Sequence, residues 1–296
     1  MTRRVAALFL LLSSFLAVVT VAGAQTRAPH SWGTKPPTLA QCKKTVPTET
    51  YAKGVLTLGT DNPVLPPWFE SNDPANQGGY EGALAYDLAG ELGYKPKNVT
   101  WITEPFEDAV AAGSKPFDFD IDEVPNNSSW ATNVSFSTPY YNVTQSIVAM
   151  KSDPIVHYHS TKRLPTYKYG ALTGSPALTY ATKKIKPTSP VIAFSTLDAA
   201  VSALEAGTID ALVVDTPTGY TWVRSEIIDA SGHPLATQVG QFPSNGDEAY
   251  VLVLQKNNPL LACVNVAVGT LRSKGTLTSL ARRWLQIYLQ IPTIKP

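Results

Sequence analysis

Closely spaced carboxylates mark the segment FDFDIDEVP, residues 117–125, which contains Asp118, Asp120, Asp122 and Glu123. Such carboxylates could bind a metal ion, transfer protons in catalysis, or line one side of a binding cleft. An EF-hand calcium loop beginning at Asp118 would need glycine at its sixth position and glutamate at its twelfth. This chain has Glu123 and Ser129 there, so the sequence excludes that loop.

Apolar residues alternate with these acids between residues 117 and 122. A period of two predicts a β-strand with one apolar face and one acidic face. Acids in a row on one strand face repel one another unless the strand end opens to water or to a cation. Because charged side chains are seldom buried unpaired, we expect Asp118 and Asp120 to be solvated or capping acids. Asp122 and Glu123, at the end of the strand, are candidate binding residues.

Short apolar strands alternate with helical segments along most of the chain. GVLTLGTD is predicted to be a strand that ends on Asp61, and IDALVVD a buried strand that ends on Asp215. The alternation predicts parallel strands joined by crossover helices. In such sheets, ligands bind beyond the carboxyl ends of the strands. Four acids of this sequence occupy that position: Asp61, Asp122, Glu123 and Asp215.

The composition is that of a globular protein. The chain has 296 residues and a formal net charge of +1, with 44% hydrophobic and 16% charged residues. These proportions allow one large domain or two smaller ones with apolar cores, and they do not suit a disordered chain. No dense run of lysine and arginine is present, so no nucleic-acid partner is predicted.

The first 24 residues have the pattern of a secretory signal peptide. Arg3 and Arg4 precede an apolar run that ends at Ala22-Gly23-Ala24, a cleavage-like motif. A retained membrane anchor is the alternative, because an apolar run of this length could span a bilayer. We expect cleavage and an extracytoplasmic location, periplasmic or at the cell surface. Residues 25–49 lack periodicity and are predicted to form an N-terminal arm.

Cys42 and Cys263 are the only cysteines of the chain. An even pair of cysteines in an exported chain favours one disulfide. Two unrelated buried thiols are the alternative.

Six segments fall in the order and at the spacings of a known family: GVLTLGTDNPVLPPWFE, GGYEGALAYDLAGELG, FDFDIDEVPNNSSWATNVSFSTPYY, ALTGSPALTYATK, AGTIDALVVDTPTGY and NNPLLACVNVAVGTLRSKGTLTSLARRWL. They resemble the extracytoplasmic solute-binding proteins of ABC importers, in the branch that takes up polar amino acids. The likeness covers residues 50–290. It implies an α/β fold of the two-lobed, type II periplasmic-binding-protein kind, in which each lobe is a mixed, mostly parallel sheet flanked by helices.

The resemblance also implies a domain organisation. Lobe 1 would be residues 50–144 with 244–296, and lobe 2 would be residues 145–243, joined by two hinge strands. A small solute would be clamped between the lobes by hinge closure and passed to an ABC permease in the membrane. No cofactor and a monomeric state are expected. Some members carry an early cysteine and another before a C-terminal helix, which supports a Cys42–Cys263 disulfide.

Several binding positions of the family have counterparts here. Asp215 matches the acid that holds an amino acid's ammonium group, and Asp61 matches a cleft acid of lobe 1. Trp68 and Tyr80 fall near positions where the family stacks aromatic rings, and packing within the lobe is the alternative for Trp68 and for Trp130. Thr173-Gly174-Ser175 matches a nest of backbone donors before a helix.

The carboxylate-binding positions differ from the family pattern. Trp130 stands where the family has an arginine that clamps the α-carboxylate. Glu123 and Pro125 replace a glycine and a threonine that donate to the ligand, and proline has no N–H to donate. Acids together with Trp68 and Trp130 resemble a cage for a cation. The sequence therefore predicts a cationic or amine-bearing solute.

Other hypotheses remain open at this stage. Lys168 or Arg163 could replace the missing clamp, or binding could have been lost. An enzyme of the same fold, such as a dehydratase, could use Glu123 or Asp122 for proton transfer, although no nucleophile and base motif is present. A receptor that passes its ligand to a sensor is a third class.

Overall fold

The computed structural model describes residues 35–244 and 248–295 of the chain. The predicted signal peptide, residues 1–24, lies outside the described residues, as does the first part of the predicted arm. Within the described ranges, no helix is both long enough and apolar enough to cross a membrane.

Strands and helices alternate along the described chain. The strands are β1 (Leu56–Thr60), β2 (Val99–Thr103), β3 (Phe119–Asp120), β4 (Val134–Phe136), β5 (Tyr141–Asn142), β6 (Gln145–Met150), β7 (Tyr169–Leu172), β8 (Ile192–Phe194), β9 (Ala211–Asp215), β10 (Ala236–Gln241), β11 (Ala249–Tyr250) and β12 (Val253–Gln255). The α-helices are α1 (Leu39–Glu49), α2 (Tyr80–Glu91), α3 (Phe106–Val110), α4 (Pro176–Tyr180), α5 (Leu197–Glu205), α6 (Thr216–Ser225), α7 (Leu261–Ser273), α8 (Thr276–Trp284) and α9 (Gln286–Leu289).

The strands form two five-stranded sheets and one short pair. The first sheet has the order β2-β1-β3-β12-β4, and the second has the order β10-β6-β9-β7-β8. In each sheet two neighbouring pairs are parallel and two are antiparallel. Helices pack against both sheets, so the prediction of a mixed α/β fold is confirmed. Each sheet has its own apolar cores, which places any cleft between two separately packed bodies.

The N-terminal arm differs from its prediction, because residues 39–49 form the helix α1. Thr38 and Gln41 make reciprocal hydrogen bonds at its start, an arrangement that satisfies two backbone donors. Cys42 and Val46, one turn apart, are buried. Cys42 forms a disulfide with Cys263 of α7, with a Cα–Cα distance of 5.4 Å, so the predicted disulfide is confirmed.

Strand β3 lies at the centre of the first sheet and is buried on both faces, contrary to the predicted acidic face. Neighbouring strands flank it, and Phe119 and Asp120 are both fully buried. Asp118 is a buried capping acid, which accepts from the backbone N–H groups of Tyr51 at 2.6 Å and Thr57 at 2.7 Å. The expectation of a solvated or capping acid therefore holds for Asp118 as a capping acid, and it is wrong for Asp120, which is fully buried without a hydrogen-bond partner among the described residues.

Two crossing segments connect the sheets at neighbouring positions. The backbone N–H of Val143 donates to the carbonyl of Glu248 at 3.0 Å, and that of Phe242 donates to Gln145 at 2.8 Å. The chain after α9 makes a third connection, since the N–H of Gln241 donates to Pro292 at 2.8 Å. The described backbone therefore joins the two sheets through adjacent hydrogen-bonded segments.

Ile294 anchors this C-terminal tail in the second core, where it is 1% exposed. Replacing Ile294 with alanine should lower the free energy of unfolding by about 3 kcal/mol, because buried apolar area is lost and a cavity remains. Urea unfolding followed by circular dichroism measures this change. Thr293→Ala, at an exposed neighbour, is the matched control and should change stability by less than about 0.5 kcal/mol. Equal stability of the two variants would contradict the anchoring role of Ile294.

Candidate functional site

Six carboxylates gather where the two sheets face each other, and we call them the acid cluster: Asp61, Glu81, Asp120, Asp122, Glu123 and Asp215. Four of them follow strand ends as predicted, after β1, after β3 and at the end of β9. Burial and then repulsion from Asp61 raise the pKa of Asp122. Burial raises the pKa of Glu123 most, and repulsion from neighbouring acids, among them Asp215, adds to the rise. Acids from both sheets thus lie within electrostatic reach of one another.

Glu81 and Glu123 form the centre of the cluster. Glu81, at the start of α2, is fully buried, and its Oε1 accepts from the backbone N–H of Glu123 at 2.9 Å. The Tyr140 hydroxyl also donates to this oxygen. Burial raises the pKa of Glu81, and burial together with repulsion from Glu81 raises that of Glu123 well above its usual range. Glu123 has a φ of 51°, a left-handed conformation that is uncommon for glutamate and costs free energy.

Asp120 lies deepest in the cluster and is fully buried. Neither of its carboxylate oxygens has a hydrogen-bond partner among the described residues. Gly59 makes room for it, because a Cβ at that position would lie 2.8 Å from Oδ2. Burial, followed by repulsion from Asp122 and Glu81, raises the pKa of Asp120 well above its usual range. A group in this state either keeps its proton or requires a cation.

Asp215 brings the second sheet to the site. It caps α6 by accepting from the backbone N–H of Thr218 at 2.8 Å, and burial raises its pKa. Gln145 pairs with Asp215 in the β6–β9 register, and its amide donates to the Glu248 carboxylate. Burial and then repulsion from Asp215 raise the pKa of Glu248 to about 7.

A cavity of about 490 Å³ adjoins this end of the site, and we call it the hinge cavity. It lies between α4 with the turn that follows it and the two crossing segments. Its lining includes Gln145, Thr179, Tyr180, Lys183, Lys184 and Glu248. The volume falls in the range of pockets for small molecules.

Trp68 lies in an aromatic cluster next to the acids. Its ring makes edge contacts with Tyr80 at 5.7 Å and with Tyr141 and Tyr250 at 5.4 Å between centroids. A hydrogen bond from Trp68 partly offsets the rise in the pKa of Glu123. Trp68 is 3% exposed, so packing within the lobe accounts for most of its surface. Tyr80, also buried, donates its hydroxyl to the Tyr140 carbonyl at 3.1 Å.

Trp130 lies apart from this aromatic cluster. It contacts Phe106 edge-on at 5.4 Å and packs on a small apolar group around Val124. Among the described residues, none of the ring contacts joins it to Trp68. These contacts favour the packing interpretation of Trp130 over the cage of two tryptophans.

The nest Thr173-Gly174-Ser175 lies between β7 and α4, as its sequence suggested. Two of its backbone donors are already engaged, since Thr173 donates to Phe194 at 2.8 Å and Ser175 to Leu172 at 3.2 Å. Gly174, with a φ of 77°, has the left-handed conformation typical of such a turn. The nest therefore has less donor capacity for a ligand than the family resemblance implied.

Neither proposed substitute for the clamp points to the acid cluster. Lys168 precedes β7, whereas the nest follows it, so the two lie at opposite ends of one strand. Arg163 lies over the Tyr158 ring at 5.0 Å and donates to its hydroxyl at 3.1 Å.

Sequence reasoning missed Glu81, Gln145 and Glu248. A signal for Glu81 was present, because it lies three and seven residues before Leu84 and Leu88 and so shares their buried helix face. Gln145 and Glu248 carry no such signal, since their contact joins residues 103 positions apart.

The raised pKa values predict that stability falls as pH rises. Asp122 and Glu248 have pKa values of about 6 and about 7, against usual values of 3.8 and 4.5. The folded protein therefore binds more protons than the unfolded chain between about pH 4 and 7, and loses stability across that interval. Each of the two shifts corresponds to a loss of about 3 kcal/mol, and urea unfolding at successive pH values measures their combined effect. Glu248→Gln should flatten the slope, and a wild-type stability that rises over this interval would contradict the assignment.

The comparisons with known proteins agree with this architecture. The family model of bacterial extracellular solute-binding proteins, family 3, matches residues 56–287. The lysine/arginine/ornithine-binding periplasmic protein of Escherichia coli (strain K12) is 24% identical over 232 residues, covering 77% of this chain and 86% of that protein.

Solved structures show the same fold. An ancestral arginine-binding protein bound to arginine is 25% identical with a TM-score of 0.50, and the match covers 78% of this chain and 98% of that one. Substrate-binding domain 2 of Lactococcus lactis GlnP, in an open conformation, is 20% identical with a TM-score of 0.52, covering 78% and 94%. The predicted type II two-lobed fold is confirmed by these matches.

Proposed function

Because the chain belongs to the bacterial extracellular solute-binding proteins, family 3, we propose that it holds a small amine-bearing solute between its two sheets and delivers it to an ABC permease. The observation that carries this proposal is the acid cluster, in which Glu81 and Asp120 have buried carboxyl oxygens without partners among the described residues and Asp215 of the second sheet adds to the repulsion on Glu123. Acids that repel one another gain stability when a cation lies between them.

Buried carboxyl oxygens without hydrogen-bond partners in the described chain support a cationic solute. Glu81 Oε2 and both oxygens of Asp120 are buried without partners among the described residues. The main influences that raise the pKa of Asp120 are burial and other acids. An ammonium group would supply the donors and the positive charge that this cluster lacks.

The named relatives support the same class of solute. One is a lysine/arginine/ornithine-binding protein, and another was solved with arginine bound. The amino acids in both names have a cationic side chain. A solute with at least one positive group is the common element between those relatives and the acid cluster of this chain.

The proposal includes a hinge motion of a monomer exported across the membrane. Residues 50–144 with 244–296 would move against residues 145–243 about the crossing segments. The resemblance supplies these boundaries, and the signal-peptide pattern supplies the extracytoplasmic location with cleavage after residue 24.

Catalysis is the second candidate, favoured by the raised pKa values of Asp122 and Glu123, which suit proton transfer. We favour binding without turnover, because the family and its named relative are binding proteins. A sensor receptor would use the same binding site with a different membrane partner.

Isothermal titration calorimetry of the purified mature protein tests the binding proposal. The panel contains L-lysine, L-arginine, linear diamines, a quaternary amine and L-glutamate. At least one cationic compound should bind, and L-glutamate should not, because the acid cluster repels its side chain. Binding of L-glutamate in preference to every cation would overturn the proposal. NMR spectra of the protein with the amine, recorded over hours, separate binding from catalysis. Binding alone should leave the amine unconsumed and form no product.

A further inference from the structure

The hinge cavity has an inner end that accepts hydrogen bonds. Gln145 is only 6% exposed, and its Oε1 is buried without a hydrogen-bond partner among the described residues. Its amide donates to Glu248, which also lines the cavity. A buried acceptor without a donor is costly, so this end of the cavity is complementary to a donor such as an ammonium group.

The opposite part of the cavity lining is positive. Lys183 and Lys184 are neighbours in the turn that follows α4, and both line the cavity. Both are exposed, and no carboxylate in the described ranges forms a salt bridge with either. The cavity lining therefore combines carboxylate and amide acceptors from the crossing segments with two lysines from the turn after α4.

We propose that the hinge cavity holds the zwitterionic part of the solute, with its carboxylate on Lys183 and Lys184 and the adjacent amine on Gln145 and Glu248. This inference rests on the proposed function and refines the class of solute. The lysine pair takes over, from the other side of the cleft, the role of the arginine that Trp130 replaces. A second positive group of the solute would then lie in the acid cluster, next to Asp215 and Glu123.

The charges of the cavity lining disfavour a different arrangement. A solute with amines only would place positive charge beside two lysines, whose mutual repulsion opposes it. A carboxylate beside an amine matches both sides of the cavity at once. Lysine and its decarboxylated analogue, 1,5-diaminopentane, differ only in that carboxylate and form a matched pair of probes.

Calorimetric titration tests the inference. Both probes are titrated into the wild-type protein and into the Lys183→Ala/Lys184→Ala variant. Wild type should bind L-lysine about tenfold more tightly than 1,5-diaminopentane. The double variant should bind L-lysine about fivefold more weakly and 1,5-diaminopentane more tightly, because removing two positive charges has opposite effects on the two probes. Lys186→Ala, an exposed lysine at the end of the same turn, is the control and should leave both affinities unchanged.

The outcomes separate this inference from the proposed function. If 1,5-diaminopentane binds as tightly as L-lysine, or if the double variant shifts both probes in one direction, the lysine subsite is overturned while amine binding stands. If wild type binds no compound of the cationic panel, both proposals fall. Opposite shifts of the two probes support the subsite, since general damage to the fold would weaken both.

Discussion

Replacing Glu123 with glutamine should weaken binding of a cationic solute by about a hundredfold. Glu123 is the acid of the first sheet that comes within electrostatic reach of Asp215, so it would contact the solute from the lobe 1 side. The amide keeps the shape of the side chain and removes its negative charge. Asp215→Asn should have a similar effect from the second sheet. Isothermal titration calorimetry with the tightest-binding compound of the cationic panel measures both losses.

Stability distinguishes this effect from damage to the fold. Burial and neighbouring acids raise the pKa of Glu123, so a neutral amide relieves repulsion and should keep or raise the melting temperature. Glu107→Gln, an exposed acid of α3, is the matched control and should leave affinity unchanged. Unchanged affinity of the Glu123→Gln protein would contradict the position of the solute at the acid cluster.

Removing the disulfide should have the largest effect on stability. Cys42 and Cys263 are 221 residues apart, and a crosslink over so long a loop strongly restricts the unfolded chain. The double variant Cys42→Ser/Cys263→Ser should lose about 4 kcal/mol of unfolding free energy. Because α1 packs on α7 through this bond, its residues should also become more accessible to protease.

Urea unfolding with and without reducing agent checks the disulfide prediction. Reduced wild type should unfold near the midpoint of the double variant, and the reducing agent should have no effect on the variant itself. If wild type unfolds at the same urea concentration in both conditions, the disulfide does not stabilise the protein and the prediction is wrong.

Local sequence patterns predicted where the site acids lie along the chain. The runs that end at Asp61 and Asp215 are short and apolar, and both form strands. The acid at the end of each run therefore lies at the carboxyl end of a strand. The helix α1 was missed, because residues 25–49 lack the apolar repeat by which the other helices were predicted. Patterns of this kind depend on neighbours within a few residues, which the sequence displays directly.

Pairings between distant residues were not accessible in the same way. Trp130 occupies the sequence position of a ligand clamp, yet it packs on Phe106. Asp120 looks like one of a row of solvated acids, but it is fully buried, with Gly59 of the neighbouring strand making room for its carboxylate. In both cases the deciding contact comes from another part of the chain.

The order of strands, helices and acidic strand ends was determined by the sequence, because periodicity and capping act over one or two turns. The tertiary structure decided which acids come together and which cavity lies beside them. Glu123 and Asp215 belong to different sheets, and only the packing of those sheets about the crossing segments brings their charges together. Electrostatic repulsion depends on distance in space, and no local pattern of residues encodes that distance.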